Sequence, residues 1–487
     1  MNTTARSTPL RDLSDAPVVR GHWLWGNSAD AQRDILGVYA GAAQLGDVVR
    51  LRTAIPGLKW YAFYSPAAFE RVLHGNQRNY VKPRMIVTTL AQLTGLSVFT
   101  LEGDAWLARR RLMQPAFHRE RLGALAAVME AAARETVARW AKLARRGERV
   151  DVAEEMTRVT LRVASEALFG RDLSADLDAS GDAIRGALAH VGYRLRRLAV
   201  PTWIPSRRNR EFLRARRALD ALCYAAIAER RRALALGTPS DGRGALLDLL
   251  LGARDAESGA GLDDRALRDE VMTALLAGHE TTAAALAWTW ALLAAHPSAA
   301  ERLTAEVDAA LGPAAEPTVA DLARLPHARR VVDETLRLYP PAWAQPRQAL
   351  ADDVVDGVRV PARSIVALVQ YVAHRRSDVW GDDADAFDPD RFLPERAAEG
   401  GRSRWAYAPF GGGQRQCIGQ QFALMEAQLL VAALAGRFRV VPNAPGLPAP
   451  DATFTLRPLG GLPATIRDLR AEVPNGSPAL RPAAASR

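Results

Sequence analysis

Cysteine is nearly absent: the 487-residue chain holds two, Cys223 and Cys417. That excludes a disulfide framework or a four-thiolate cluster within the chain and fits a reducing cytoplasm. Lysine is almost as scarce, with only Lys59, Lys82 and Lys142, so the net charge of +10 rests on arginine. The arginines are dispersed along an Ala-rich chain with no helix-turn-helix, zinc-finger or RNA-binding motif, which argues against a nucleic-acid partner. Long apolar runs are missing as well. Residues 1–30 contain no stretch of signal-peptide or anchor length, and the most apolar segment, Ala283 to Ala295, falls short of the roughly 20 residues that span a bilayer. No membrane span is expected. A Gly-x-Gly-x-x-Gly dinucleotide site is also lacking.

What is present points to a large core, since 48% of the residues are hydrophobic. Val48 to Thr53 and Trp60 to Tyr64 read as short strands paired across a turn holding Pro56 and Gly57. From Trp106 to Arg232 long amphipathic patterns follow, broken at Gly147, Gly170, Gly181, Pro201 and Pro205. Cys223 lies in one of them and reads as a small buried hydrophobe. A turn-rich connection, Gly252 to Asp264, leads into a run from Arg265 to His296 without proline and with one interior glycine, Gly278. This predicts a helix of about thirty residues that stops before Pro297. Its second half is apolar on all sides, the mark of a buried central helix. Helices at Ala299 to Leu311 and Leu325 to Tyr339 and strand-like runs at Val354 to Val360 and Ser364 to Tyr371 follow, then a last helix from Gln420 to Leu434. The fold class is mainly α with a minor β region. A single large domain is expected over residues 21–470, between a flexible segment 1–20 and a disordered Pro/Ala tail 471–487.

The segment Phe410-Gly411-Gly412-Gly413-Gln414-Arg415-Gln416-Cys417-Ile418-Gly419 stands directly before the last helix. A cysteine there has its thiolate stabilised by the helix dipole and free backbone N–H groups, which suits iron binding. Gly413 permits a tight turn, and Gly419 removes a side chain where the helix passes close to a flat cofactor. Phe410 would shield the sulfur, and Arg415 is spaced to reach an anionic group on the cofactor edge. A phosphate loop would need Lys-Ser or Lys-Thr after its last glycine, where Gln420-Gln421 stands instead.

Two further patterns carry chemistry. In Ala277-Gly278-His279-Glu280-Thr281-Thr282, Ala277 and Thr281 share a helix face, and with Gly278 they leave a notch for a diatomic ligand. Glu280 and Thr281 could supply and relay protons. The plainer reading is a buried helix whose hydroxyls bond its own carbonyls. A zinc-protease reading would need histidine at Ala283. In Glu334-Thr335-Leu336-Arg337, the acid and base face one side of a helix. With Arg391 in the loop Phe387 to Phe392, they form a plausible carboxylate between two guanidinium groups, more geometric than stabilising. Asp382, Asp383, Asp385, Asp388 and Asp390 lack calcium-loop spacing and read as a solvated loop.

Together these residues resemble the cytochrome P-450 family of haem-thiolate monooxygenases, in its soluble bacterial form. The cysteine loop, the oxygen-binding helix and the Glu-x-x-Arg helix with its downstream Arg loop occur in the family's order, within a resemblance covering about Gly21 to Arg467. It implies a cytochrome P-450 fold with haem b on Cys417 and Glu280 and Thr281 on the opposite side. Trp106, Arg110, Arg347 and Arg415 would bind the propionates, while Ala277, Gly278, Phe410, Gly413 and Gly419 would line the cofactor. The implied reaction uses O2 to hydroxylate or epoxidise a lipophilic small molecule: a fatty acid, terpene, steroid or polyketide. Electrons would come from NAD(P)H indirectly, through a separate ferredoxin or flavodoxin with its reductase. A peroxide-using enzyme of this fold would be expected to lose the acid–alcohol pair, and a haem-binding sensor or carrier would not need it. Specificity is expected to lie in residues 85–99, 184–204, 274–282, 341–347 and 453–456, with Leu90, Leu93, Leu96, Val98 and Phe99 making an apolar wall. The donor is expected on a basic face holding Arg109, Arg111, Arg119, Arg121, Arg402 and Arg404.

Overall fold

A computed structural model describes residues 15–471 except 118, 171–176, 197–199, 238–244, 256, 258, 314 and 400. Residues 1–14 of the expected flexible start and 472–487 of the expected tail lie outside the described residues. Residues 17–19 are pinned: Arg50 N–H donates to Pro17 O at 2.8 Å and Val19 N–H to Arg50 O at 2.9 Å.

Nine helices position the site: α1 Arg84–Thr94, α2 Gly103–Met113, α3 Arg119–Arg146, α4 Val152–Phe169, α5 Leu177–Arg196, α6 Arg207–Ala235, α7 Asp264–Ala295, α8 Pro326–Leu338 and α9 Gln420–Ala435. The long helix α7 begins where the Asp263 carboxylate accepts the Ala266 N–H at 2.7 Å, and ends at His296 before Pro297. It packs along α4, where a Cβ on Gly278 would meet only Ala164 Cβ, at 3.9 Å. Two apolar cores flank it. One joins α3, α4, α8 and α9 through Trp140, Trp288, Trp290, Leu429 and Phe438. The other joins α1, α4, α5 and α6 through Leu93, Leu161, Phe212, Leu267 and Met272. Cys223 is buried in the second, and burial pushes its thiol up to about 12.

The main sheet is mixed, with strands β1 Val48–Leu51, β2 Trp60–Phe63, β3 Tyr80–Val81, β4 Gln345–Ala349 and β5 Ile365–Leu368 in the order β1-β2-β5-β4-β3. β1 and β2 pair antiparallel, with Val48 opposite Phe63. A small hairpin, β6 Pro450–Asp451 with β7 Arg457–Pro458, carries its connecting segment to α7, where Trp288 Nε1 donates to Leu456 O at 3.1 Å.

Several local expectations change. Gly181 lies within α5 and does not break it. The run Val354 to Val360 is two strands around Asp356 and Gly357, both at positive φ, the two-residue hairpin turn that Asp-Gly favours. The strand from Ser364 ends at Leu368, and Gln370–Ala373 forms a helical turn.

Candidate functional site

The cysteine loop is shaped by glycines and closed by its own backbone. Gly411 and Gly413 have φ of +70° and +64°, and a Cβ on Gly413 would stand 1.8 Å from Leu73 O. The close approach made by Gly413 is therefore to the Leu73 backbone. Cys417 N–H donates to Phe410 O at 3.0 Å, while the Phe410 ring packs on the main core. Cys417 keeps accessible surface although protein crowds around it. A Cβ on Gly419 would meet nothing within 4 Å. Burial pushes the Cys417 thiol above its ordinary value, against the opposing pull of the Gly419 N–H and Arg110. The expected stabilisation by the helix end is thus present but outweighed by desolvation. A coordinated metal cation deprotonates such a thiol outright.

Beside this loop Arg415, Arg347 and Lys82 face one carboxylate, Glu102, and Arg110 stands beside Cys417. Arg415 pairs with Glu102, donates to Leu101 O at 3.0 Å and lies 3.8 Å from the centre of the buried Trp106 ring. Arg347 is buried, its guanidinium hydrogen-bonding Pro346 O and Gln345 Oε1, and burial pulls it down to about 10. Arg110 is half-buried; burial pulls its guanidinium below the ordinary value, against the opposing pull of Cys417. The fourth is Lys82, which sequence reasoning passed over. Its Nζ lies 3.9 Å from Glu102 and 5.1 Å from the Phe99 ring centre, and burial with Arg415 and Arg347 nearby pulls it down to about 7. Such an excess of half-buried positive charge is the environment for a ligand with more than one negative charge.

On α7 the residues Ala274, Ala277, Gly278 and Thr281 retain accessible surface where most of the helix is buried, and their spacing puts them on one face. Thr281 Oγ1 donates to Ala277 O at 2.7 Å, the helix-internal bond of the plainer reading. Glu280 points elsewhere. Its Oε1 accepts from Thr455 Oγ1 at 2.9 Å and lies 3.6 Å from Arg457. Ala274, Ile418, Val98 and Phe454 pack against the same core, which brings α7, the cysteine loop, the segment before α2 and the β6–β7 hairpin together. Of the expected apolar wall, Leu90 and Leu93 are instead buried in that core, while Leu96 and Phe99 keep 55% and 42% of their surface.

The Glu334 network is fully buried. Glu334 receives Arg337 at 2.6 and 2.7 Å and the Asp388 N–H at 2.9 Å, with Arg391 at 3.4 Å. Burial raises the Glu334 carboxyl, and Arg337 pulls it back. Arg337 also donates to His374 O at 2.8 Å, and His374 Nε2 accepts the Ala408 N–H at 3.1 Å. Burial holds His374 down near about 3. Nε2 therefore accepts while Nδ1 carries the proton to Arg337 O, 3.2 Å away. His374, unremarked in the sequence, thus ties the network to the start of the cysteine loop. The aspartates beside it are not simply solvated: Asp383, Asp385, Asp388 and Asp390 pair with Arg391, Arg375, Arg396 and Arg302.

The expected basic face also changes. Arg109 lies 2.7 Å from the buried Glu270, Arg111 lies 2.7 Å from Glu257, Arg402 donates to Arg391 O, and Arg404 stacks on Trp405. The side chains of Arg119 and Arg121 lie outside the described residues.

A family model described as Cytochrome P450 matches residues 17–462. The chain belongs to the cytochrome P450 family. Cyclooctatin synthase of Streptomyces melanosporofaciens is 36% identical over 94% of this chain and 98% of its own. Pentalenene oxygenase of Streptomyces avermitilis is 33% identical over 84% of this chain and 88% of its own. The crystal structure of the cytochrome P450DA heme domain superposes with a TM-score of 0.83 at 28% identity, covering 94% of this chain and 98% of that one. The chain therefore has the P450 fold and is a haem-dependent monooxygenase that uses O2, acts on a small molecule and depends on redox partners. Among the described residues no helix is long and apolar enough to cross a membrane. Nor do three or more His, Cys, Asp or Glu side chains converge on a metal position among them. A single thiolate beside an open glycine and a cationic cluster suits a porphyrin, which brings four iron ligands of its own and two propionates.

Proposed function

We propose that this P450 hydroxylates or epoxidises a terpene-type lipophilic molecule at haem b ligated by Cys417. The observation carrying the ligand assignment is the accessible Cys417 just before α9, with Arg110 beside it and Arg347, Arg415 and Lys82 around Glu102. The terpene class is supported by the bacterial relatives, cyclooctatin synthase and pentalenene oxygenase, and by the apolar Leu96 and Phe99. Haem supplies oxygen activation at an iron whose thiolate ligand favours O–O cleavage. Trp106 and the four cations would hold the propionates, and Gly419 admits the ring close to α9. Ala277 and Gly278 leave room on the opposite side.

Thr281 and Glu280 would handle protons. The Thr281 hydroxyl, held on Ala277 O, is placed to exchange that bond for one to a proton donor beside it. Glu280, turned toward Thr455 and Arg457, whose side chain is 48% exposed, would take up protons from solvent there and pass them on to the Thr281 face. Electrons would arrive from a ferredoxin or flavodoxin served by an NAD(P)H-dependent reductase, in the cytoplasm, where two free cysteines persist.

The test is the reduced carbon monoxide complex. Purified protein is expected to bind one haem and show the strongly red-shifted Soret band of thiolate ligation, lost in Cys417→Ala. Retention of that band in the variant would overturn the ligand assignment, since Cys223 is the only other thiol.

A further inference from the structure

We propose that Glu270 and Asp269 are positioning residues for the substrate pocket, clamping the backbone of residues 93–98 onto α7 so that Phe99 stands at the edge of the haem site. The proposal rests on the haem-thiolate reading above and adds residues that reading does not use.

Residues 95–100 form neither helix nor strand, so their polar backbone groups need partners from elsewhere. Asp269 Oδ2 accepts the Leu96 N–H at 2.8 Å, and Glu270 Oε1 accepts the Val98 N–H, also at 2.8 Å. Arg268 donates to Leu93 O at 2.9 Å, and Arg109 of α2 reaches both Leu96 O, at 3.3 Å, and Glu270, at 2.7 Å. Three consecutive charged residues of α7 therefore grip one loop. Gly95 shows how close the grip is: its φ is +64°, and a Cβ there would lie 2.1 Å from Asp269 Oδ1.

Glu270 is 0% exposed, and its Oε2 has no hydrogen-bond partner among the described residues. Burying such a carboxylate is costly, and a Gln or Leu would sit there more cheaply unless the charge had work to do. The work visible is local. Through one oxygen Glu270 joins the loop at Val98 to α2 at Arg109, the helix that also carries Trp106 and Arg110. Phe99, the next residue, lies under the Lys82 ammonium at the cationic cluster. Moving Val98 would move Phe99 relative to the cofactor edge.

The experiment uses full-length, haem-loaded protein and the variants Glu270→Leu, Glu270→Gln and Asp269→Asn. Imidazole and 4-phenylimidazole are the probes: both bind iron through nitrogen, but only the second extends a ring to the pocket wall. In Glu270→Leu, amide exchange at Leu96 and Val98 should rise about tenfold or more. The ratio of the two dissociation constants should shift about fivefold while imidazole binding itself holds steady. Glu270→Gln, which keeps an acceptor for Val98, should fall between Glu270→Leu and the parent, and it carries the test if Glu270→Leu yields no folded holoenzyme. Asp269→Asn should raise exchange at Leu96 first. Unchanged exchange and an unchanged ratio, with a normal carbon monoxide band, would overturn the clamp. Absence of that band in the parent protein would overturn the haem reading instead.

Discussion

The cysteine side and the long-helix side of the haem site both bury carboxylates, but they satisfy them differently. On the cysteine side Glu334 takes Arg337 through both oxygens and adds the Asp388 N–H, while Arg337 and Arg391 send further donors to main-chain carbonyls at His374, Trp380 and Ala386. On the long-helix side Glu270 serves Val98 and Arg109 with one oxygen and leaves the other unpartnered among the described residues. Glu280 leans on a half-exposed Arg457 at 3.6 Å. A densely bonded network has one low-energy geometry; a sparsely bonded one has slack. On the proposed reading, Cys417 as axial ligand would need the first kind of support, and a wall that meets substrate and Glu280 as a proton carrier would be better served by the second.

The largest expected effect breaks the first kind. Glu334→Ala leaves the Arg337 guanidinium buried without its carboxylate and Arg391 with Asp383 alone, which should destabilise the protein by about 3–5 kcal/mol and prevent stable haem incorporation. Thermal denaturation and haem content measure it. Glu270→Leu should cost less, because Arg109 retains 16% exposure and can turn to water. Equal losses would mean that the two sides do not differ.

A third buried carboxyl sharpens the comparison, since Glu426 on α9 has no partner at either oxygen among the described residues and burial raises it well above the ordinary range. Its folded state holds a proton that the unfolded chain releases from about pH 4.5 upward. The penalty therefore grows as pH rises from there toward neutrality. Glu426→Met should stabilise the protein by about 1–3 kcal/mol at neutral pH, with the gain shrinking toward pH 4.5. Denaturant titrations at both ends of that window check the sign; a gain larger at low pH would refute it.

The smallest effect on stability belongs to the proton face. Thr455→Val removes one hydrogen bond to Glu280 and should change stability by about 1 kcal/mol or less. Product formed per electron should nevertheless drop, with the difference appearing as peroxide, and Thr281→Ala should divert more. Unchanged coupling in both variants would leave proton delivery to water alone.

Legibility followed distance along the chain. The Gly413 turn and the start of α9 just after Cys417 were readable because backbone sterics and helix ends act over a few residues, and the Glu334–Arg337 pair because three positions on a helix share a side. The buried character of α7 was visible in its apolar second half, and its length in the absence of proline. The donor face misled because Arg109 looks like any exposed arginine until Glu270, 161 positions away, is found beside it. Leu90 and Leu93 misled in the same way, since an apolar residue on a helix does not declare whether it faces a pocket or a neighbouring helix.

What the sequence by itself determined was the class of chemistry, through a family resemblance carried by one thiol before a helix and an acid–alcohol pair within a long helix, and a fold mainly of helices. These depend on short-range geometry that the order of residues specifies directly. Only the tertiary structure decided which charges meet. Lys82 joins the arginines around Glu102, Thr455 holds Glu280 across 175 positions, and Glu270 grips Val98 across 172. A charged side chain accepts any partner of opposite sign, so its choice is made by which helices pack together and which groups they leave away from water.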